Sequence, residues 1–207
     1  MTQLLRSLLL AAGVLFGLTP ALASVIFQVN IDTTPIAGAS GYLAFDLLGG
    51  SPLQGNMATI SGFATTGTLG TSSTSGNVTG TLTTPPVVLT ASTFFNEFLR
   101  SITFGAGLTT FDLALSSNFV AGSTPDSFSF FLLDSTLTPY GTSDPSGADA
   151  LFAIDVTGTP APVVFTSPSA MATLTPIMSA VPEPDSCVLI VLGCGALLAV
   201  RAVRRAS

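Results

Sequence analysis

Short runs of alternating apolar and polar residues dominate the chain between residues 24 and 160. Phe27, Val29 and Ile31 alternate with polar residues in one run, and Phe111 and Leu113 do so in another. Alternation with a period of two places one row of side chains on a core and the other in water, as in a β-strand. Turn residues separate the runs, which lie at 27–32, 42–48, 57–64, 77–83, 101–105, 110–116, 127–133 and 151–156. The pattern predicts an all-β fold, a single antiparallel β-sandwich of jelly-roll-like type.

Three stretches depart from simple alternation. Residues 128–133 are apolar at nearly every position, which is typical of a strand buried on both faces. Phe94, Phe98 and their apolar neighbours recur at helical intervals, and this spacing predicts a short helix over 93–99. Residues 65–84 are almost entirely Thr, Ser and Gly, so they fit either a flexible loop or a solvent-facing edge hairpin.

The first 23 residues have the three parts of a secretory signal peptide. A positively charged start is followed by an apolar stretch over 7–18 and then by small residues at Ala21 and Ala23. Small residues at these two positions are what signal peptidase accepts, so we expect cleavage between Ala23 and Ser24. Residues 1–23 then contribute nothing to the mature fold.

A Pro-Glu-Pro triplet, an apolar run and an arginine cluster end the sequence in that order. Lipid offers no partner for free backbone groups, so the apolar run can enter a bilayer only as a helix. We place this transmembrane helix at about 186–203, because a flanking arginine can extend to the interface. Arginine stays on the cytoplasmic side, which predicts that the chain ends inside. The residues concerned are Val181, Pro182, Glu183 and Pro184 around the triplet, and Arg201, Arg204 and Arg205 at the basic end.

This order of features resembles the PEP-CTERM sorting signal of bacterial proteins that are exported with an exosortase. The triplet matches the motif, the apolar run matches its helix, and the arginines match its basic end, which Ala202 and Val203 interrupt here. The resemblance implies a temporary inner-membrane anchor that a transpeptidase-like enzyme recognises near the triplet and then removes. The alternative is an ordinary single-pass membrane protein in which the triplet occurs by chance.

These features divide the chain into four parts. They are a signal peptide (1–23), a β-sandwich ectodomain (24–160), a Pro-rich stalk (161–181) and the sorting signal (182–207). Prolines in the third part remove ladder donors and stiffen the chain, although 163–165 fit one last strand. The exported part is long enough for one domain with a sizeable core.

The exported part is strongly acidic. Residues 24–181 contain nine Asp or Glu, no Lys and Arg100 as the sole base, for a net charge of −8. Such a surface repels nucleic acid and anionic lipid, so we exclude DNA, RNA and peripheral membrane binding by this domain. Both cysteines, Cys187 and Cys194, lie in the C-terminal apolar run, which leaves the predicted ectodomain without a disulfide.

The available residue types limit the chemistry that the chain can perform. The chain has no His, and the exported part has no Lys or Cys, which excludes His-based triads, thiol nucleophiles, zinc sites and Schiff bases. A carboxylate pair, as in glycoside hydrolases, is the remaining catalytic route. Most acidic residues, however, fall at alternating strand positions or in turns, where they discourage edge pairing and cap the turn. We therefore expect no enzyme activity, no cofactor and no bound metal.

Calcium and carbohydrate are the ligand classes that the composition leaves open. Calcium takes carboxylates and loop carbonyls, and the sequence has no regular calcium-binding loop. Sugar-binding sandwiches stack their ligand on Trp or Tyr, and this chain has no Trp and only Tyr42 and Tyr140. The candidate calcium ligands are Asp126, Asp134, Asp144, Asp149 and Asp155.

We therefore expect an exported cell-surface or extracellular-matrix protein of structural or interaction type. Its processing partners would be signal peptidase and an exosortase, its transient anchor the inner membrane, and its final surroundings an exopolysaccharide-rich envelope. The alternative is a secreted module that binds carbohydrate or calcium. Acidic side chains that converge in one concave loop cluster would favour this alternative, whereas dispersed carboxylates would favour the structural role.

Overall fold

The computed structural model describes residues 24–84, 86–116, 118–140, 149–157, 162–167 and 171–177. Over these residues the chain forms strands joined by turns, with one 3-10 turn at Thr34–Ile36. All of the strands belong to one compact unit. In chain order they are β1 (Ser24–Asp32), β2 (Ser40–Leu48), β3 (Met57–Thr65), β4 (Thr68–Ser75), β5 (Val78–Thr79), β6 (Val87–Thr90), β7 (Phe95–Thr103), β8 (Leu108–Ser116), β9 (Asp126–Asp134), β10 (Phe152–Val156), β11 (Val163–Thr166) and β12 (Ala172–Ile177).

The strands form two antiparallel sheets that pack face to face. Sheet A has the order β12-β1-β8-β3-β6-β5, and sheet B has the order β11-β10-β9-β2-β7-β4. Strands β5 and β6 of sheet A pack against β7 of sheet B, so the β5 edge and the β4 edge lie on the same side of the sandwich. The prediction of an all-β, antiparallel sandwich is confirmed.

Phenylalanine fills the space between the sheets. The Phe45 ring of β2 lies 4.9 Å from Phe130 and 5.3 Å from Phe111 across the sandwich, centroid to centroid. Phe130 in turn stacks on Phe152 at 5.5 Å. Tilted and edge-to-face contacts of this kind add to the stabilisation that burial of apolar area provides. Each of these rings stands at an inward position of the alternation seen in the sequence.

Strand β9 lies in the middle of sheet B, between β10 and β2. Its inward residues Phe128, Phe130 and Leu132 have no solvent exposure, whereas Phe131 and Leu133 on the other face are half-buried. The prediction of burial on both faces is therefore confirmed fully for the inner face and partly for the outer face.

The helix predicted over 93–99 is wrong, because β7 runs from Phe95 to Thr103. This strand pairs with β2 over nine residues, from Phe95 opposite Leu48 to Thr103 opposite Ser40. Phe98 is buried on the inner face, and Phe95 occupies the outer face. Apolar residues on both faces of a strand mimic a helical spacing, and the long ladder with β2 decides the outcome.

The Thr-rich segment 65–84 forms strands at the edges of the two sheets. Strand β4 is the last strand of sheet B and pairs only with β7, and β5 is the last strand of sheet A. Gly76 turns the chain from one to the other with φ of +70°, a conformation that side chains disfavour. The solvent-facing edge prediction is confirmed, but the two strands belong to different sheets and form no hairpin.

The stalk predicted for 161–181 is wrong for most of its described residues. Strand β11 pairs with β10 at one edge of sheet B, and β12 pairs with β1 at one edge of sheet A. Pro176 is tolerated because β12 is an edge strand, where a missing N–H group costs little. The strand suggested at 163–165 is confirmed as β11, and the folded domain extends to Ile177 rather than to residue 160.

Candidate functional site

A depression of about 260 Å³ lies on the outer face of sheet B, near its β4 edge. It spans β2, β7 and β4 and is closed at one side by the residue that follows β9. It is slightly smaller than the roughly 300–1,000 Å³ of typical small-molecule sites. The lining residues are Ser40, Gly41, Tyr42, Thr68, Leu69, Gly70, Ser101, Ile102, Thr103 and Ser135.

Strand register explains why hydroxyl groups gather here. Ser40 pairs with Thr103 and Tyr42 pairs with Ser101 between β2 and β7, so these four side chains share the outer face. Ile102, which lies between Ser101 and Thr103 in β7, is on the opposite face and belongs to the core. Gly70 of β4 leaves room above this row, since a β-carbon there would collide with the Ser101 hydroxyl.

Most of the hydroxyl groups in the depression have no partner among the described residues. Ser101 donates to the Thr71 carbonyl at 3.0 Å and is also 3.4 Å from the Thr71 hydroxyl. The unpartnered hydroxyls belong to Ser40, Tyr42, Thr68, Thr103 and Ser135. Each hydroxyl group can donate one hydrogen bond and accept two, so the site has a high capacity for an uncharged polar ligand.

The second tyrosine has a structural position. The Tyr140 ring packs edge-to-face on Phe104 at 6.0 Å, and its backbone N–H donates to the Leu132 carbonyl. Tyr42 is therefore the tyrosine that lines the depression, and Tyr140 is not.

The strand at the edge of the depression, β4, belongs to an uncharged part of the chain. Residues 47–96, a run of 50 residues, contain no Asp, Glu, Lys or Arg. Strands β3, β4, β5 and β6 all fall within this run. The carboxylates that lie in strands belong to β1, β2 and β7–β10, so the β4 and β5 edges are free of charge.

One pair of carboxylates does meet on the outer face of sheet B. Asp46 of β2 stands directly opposite Glu97 of β7. Burial, with a smaller contribution from the charge of Glu97, raises the pKa of Asp46 to about 7. Burial also raises the pKa of Glu97. Asp46 Oδ1 is buried and makes no hydrogen bond with a described residue.

Within the described part of the chain, this pair lies apart from Arg100 and from the depression. Arg100 pairs in register with Leu43, so it belongs to the opposite face of β7 from Glu97 and does not neutralise it. Neither carboxylate lines the depression. A raised carboxyl pKa beside a second acid is a feature of general acids, but that chemistry also needs a cleft that holds the substrate between the two groups.

The other described acidic residues are dispersed. Asp126 is fully buried and accepts hydrogen bonds from Gly50 N at 2.6 Å and Asn56 Nδ2 at 3.0 Å, which ties the loop between β2 and β3 to the start of β9. Asp134 closes a turn, and hydrogen bonds from the Thr136 side chain and the Thr138 backbone lower its pKa. Turn capping is thus the visible role of several acids.

The described residues do not bring the candidate calcium ligands together at one place. Asp126 and Asp134 stand at opposite ends of β9, about 26 Å apart at 3.3 Å per residue. Asp144 lies outside the described residues, so its relation to Asp149 and Asp155 is not defined. Among the described residues, no group of three or more Asp, Glu, His or Cys is placed to hold a metal ion.

The predicted sorting and processing residues lie outside the described part of the chain, with one exception. Ser24 is described and pairs with Ser116 as the first residue of β1. No helix within the described ranges has the length and hydropathy that crossing a membrane would need. The residues outside these ranges are Ala21, Ala23, Val181, Pro182, Glu183, Pro184, Arg201, Arg204 and Arg205.

Comparison with known proteins gives no further guide to the function. No protein-family model matches the chain, and neither a curated protein nor a solved structure matches it. The geometry and the sequence pattern therefore carry the functional conclusion.

Sequence reasoning missed both groupings on the outer face of sheet B. Tyr42 was identified as one of two tyrosines, but its hydroxyl-bearing neighbours come from β4 and β7, which are distant in sequence. The period-two pattern of Ser40 and Tyr42, and of Ser101 and Thr103, was the signal that could have placed these residues on one face. Pairing Asp46 with Glu97 requires the strand register, which the sequence does not state.

Proposed function

We propose that this chain is an exported cell-surface or matrix protein of structural or interaction type. It is delivered by its signal peptide, held briefly in the inner membrane and processed at the PEP triplet by an exosortase. The proposal includes the flanking signal peptide, the C-terminal transmembrane helix and a jelly-roll-like connectivity. The observation that carries the structural role is the dispersal of the described carboxylates into turn caps, buried loop contacts and strand faces.

The position of β12 adds a spatial constraint to processing. The strand ends at Ile177, so only four residues separate it from Pro182. Four residues span at most about 14 Å even when fully extended. A processing enzyme that acts at the triplet must therefore work close to the folded domain, rather than at the end of a long stalk.

The test of this proposal is the replacement of Pro182, Glu183 and Pro184 by Ala. Translocation and membrane insertion should be unaffected, because neither depends on the triplet, and release should fail. Intact-mass analysis should find the variant in the inner membrane with residues 187–207 still attached, while the wild type has lost them. Replacement of Pro160 and Pro162 by Ala is the matched control, since it alters another Pro-x-Pro triplet and should leave release intact.

Equal release of the triple-alanine variant and the wild type would contradict the proposal. The chain would then be a single-pass membrane protein with an acidic β-sandwich ectodomain. The same mass spectra test the other processing site, because a mature protein beginning at Ser24 supports cleavage after Ala23.

A second candidate function, carbohydrate binding, is favoured by one observation. The depression beside Tyr42 combines an aromatic side chain with unpartnered hydroxyl groups, and its described lining residues are uncharged. Calcium binding has no comparable support among the described residues.

A further inference from the structure

We propose that the depression beside Tyr42 is a binding subsite for a neutral sugar unit of a polysaccharide. The proposal rests on the second candidate function, carbohydrate binding, and names its site and its ligand class. Such a site would attach a matrix protein to glycan. It is independent of C-terminal processing, so failure of the PEP-triplet test leaves it standing, and its own failure leaves the processing proposal standing.

The hydrogen-bonding groups of the site match those of a sugar. A neutral sugar presents hydroxyl groups that both donate and accept, and so do the five unpartnered hydroxyls of the depression. On binding, the hydroxyl groups of the protein and of the sugar exchange hydrogen bonds to water for hydrogen bonds to each other, at little cost in free energy. The geometry of these new hydrogen bonds then determines which ligand is preferred. The Tyr42 ring supplies an apolar wall with a polar tip, which suits a ligand that has both polar edges and apolar faces.

The charge distribution selects against acidic ligands. Among the described residues, no charged side chain lines the depression, and its edge strand, β4, lies within the uncharged run 47–96. The exported part as a whole carries a net charge of −8. A polymer of uronic acids would be repelled by this field, whereas a neutral glycan would not.

The location suits a polymer rather than a small free ligand. The volume of about 260 Å³ accommodates one or two sugar rings, and the depression opens on a sheet face beside the β4 edge, so a chain can extend beyond it in either direction. Contacts to a few rings predict weak binding at each site, which many copies on one polymer would strengthen through avidity.

The small number of tyrosines allows sugar binding at Tyr42 to be followed by tyrosine fluorescence. The chain has no Trp and two Tyr, so Tyr140→Phe leaves Tyr42 as the sole tyrosine, and Tyr42→Phe leaves Tyr140. The full chain is prepared in a detergent without a sugar headgroup and titrated with the neutral hexamers cellohexaose, laminarihexaose and maltohexaose. Hexagalacturonate serves as the acidic counterpart.

In the Tyr140→Phe protein, at least one neutral hexamer should change the tyrosine emission in a saturable way, with a Kd below about 10 mM. The Tyr42→Phe protein should show no saturable change, because Tyr140 is packed on Phe104. Hexagalacturonate should bind at least about tenfold more weakly than the best neutral hexamer. The absence of saturation with all three neutral hexamers, an equal response from both tyrosines, or equal binding of the acidic hexamer would overturn the proposal.

Substitutions at surface positions of the depression, compared with one outside it, separate binding from folding. Calorimetric titration with the best hexamer should show about a tenfold loss of affinity for Tyr42→Ala and about a threefold loss for Thr103→Val, which removes one hydroxyl. Phe94→Ala is the matched control, since this aromatic side chain is 70% exposed and directly precedes β7, at the end of the strand away from Ser101 and Thr103. Its affinity should equal that of the wild type within about twofold. If Thr103→Val and Tyr42→Ala both bind like Phe94→Ala, with unchanged circular dichroism, the subsite is elsewhere and the proposal is wrong.

Discussion

Asp46 and Asp126 show how the surroundings of a carboxylate decide its effect on stability. Asp126 is fully buried, yet both of its oxygens accept hydrogen bonds, one from Gly50 and one from Asn56. Asp46 is less deeply buried, but its Oδ1 has no described partner and Glu97 stands opposite. A buried polar atom without a partner costs more than a bonded one, and like charges across a ladder repel each other. Both oxygens of Asp126 thus have hydrogen-bond partners inside the fold, whereas Oδ1 of Asp46 has none among the described residues.

This difference predicts a pH dependence of stability. Because the pKa of Asp46 is raised to about 7 in the folded state, folding favours the protonated acid. Its contribution is complete below about pH 4 and is lost as the pH rises through 7. Asp46→Asn should therefore match the wild type at pH 4 and exceed its free energy of unfolding at pH 8 by on the order of 3 kcal/mol. Urea denaturation at the two pH values provides the measurement.

Asp112→Asn is the matched control, because it also removes a strand carboxyl but has uncharged register neighbours, Gln28 and Ser61. An Asp46→Asn variant that loses stability between pH 4 and pH 8 as steeply as the wild type would show that Asp46 is not the group responsible.

At the scale of strands, the alternation of apolar and polar residues was sufficient to predict most of the sandwich. Phe27 and its partners in β1 follow a period of two, and the structure places them on one face of a strand. The pattern failed over 93–99 because residues 94, 95, 98 and 99 satisfy a helical spacing as well as a two-faced strand. Only the partner strand β2 distinguishes the two, and sequence distance hides that partner.

The edge strands failed for a different reason. Prolines near β11 and β12 suggested an extended stalk, since Pro cannot donate to a ladder. An edge strand needs only one set of ladder bonds, so Pro176 opposite Phe27 does not prevent pairing. Local composition therefore could not separate a stalk from an edge strand.

The depression near Tyr42 could not be predicted from the sequence, because its residues come from three strands that are distant in sequence. The same sequence distance hides the β2–β7 ladder.

Truncation of the chain tests the correction to the domain boundary. A protein of residues 24–160 lacks β11 and β12, whereas one of residues 24–180 retains them. The shorter form should be less stable by at least about 2 kcal/mol, since it loses the packing of Leu174 and leaves the long edge of β1 unpaired. Denaturant midpoints of the two proteins provide the comparison. Equal midpoints would restore the stalk interpretation.

At the scale of the whole molecule, charge is distributed unevenly. The described strand carboxylates are spread over β1, β2 and β7–β10 of both sheets, whereas the 50-residue run 47–96 leaves β4 and β5 without charge. An acidic surface with dispersed carboxylates keeps copies of a protein apart in solution, while the uncharged β4 edge can approach a neutral polymer.

Dispersed carboxylates also predict indifference to calcium. Addition of 5 mM Ca²⁺, about 500-fold above the weakest sensor-type Kd, should leave the melting temperature within about 1 °C of its value in 5 mM Mg²⁺. Magnesium at the same concentration controls for ionic strength. A rise of several degrees that is specific to calcium would indicate convergent ligands and would favour the ligand-binding alternative.

The pairing of β12 with β1 has a mechanical consequence. The two strands are antiparallel, and Ile177 lies opposite Ile26. A load applied through the C-terminal end of the domain therefore meets this pair first. When the load acts away from the sheet, it opens the ladder one pair at a time towards Ala172, because hydrogen bonds between antiparallel strands lie across the direction of the strands. If the chain is held by its C-terminal end and binds a polymer at the proposed subsite, drag on that polymer is borne by these six residue pairs. Release at the triplet would remove the load from β12 and leave the sandwich closed.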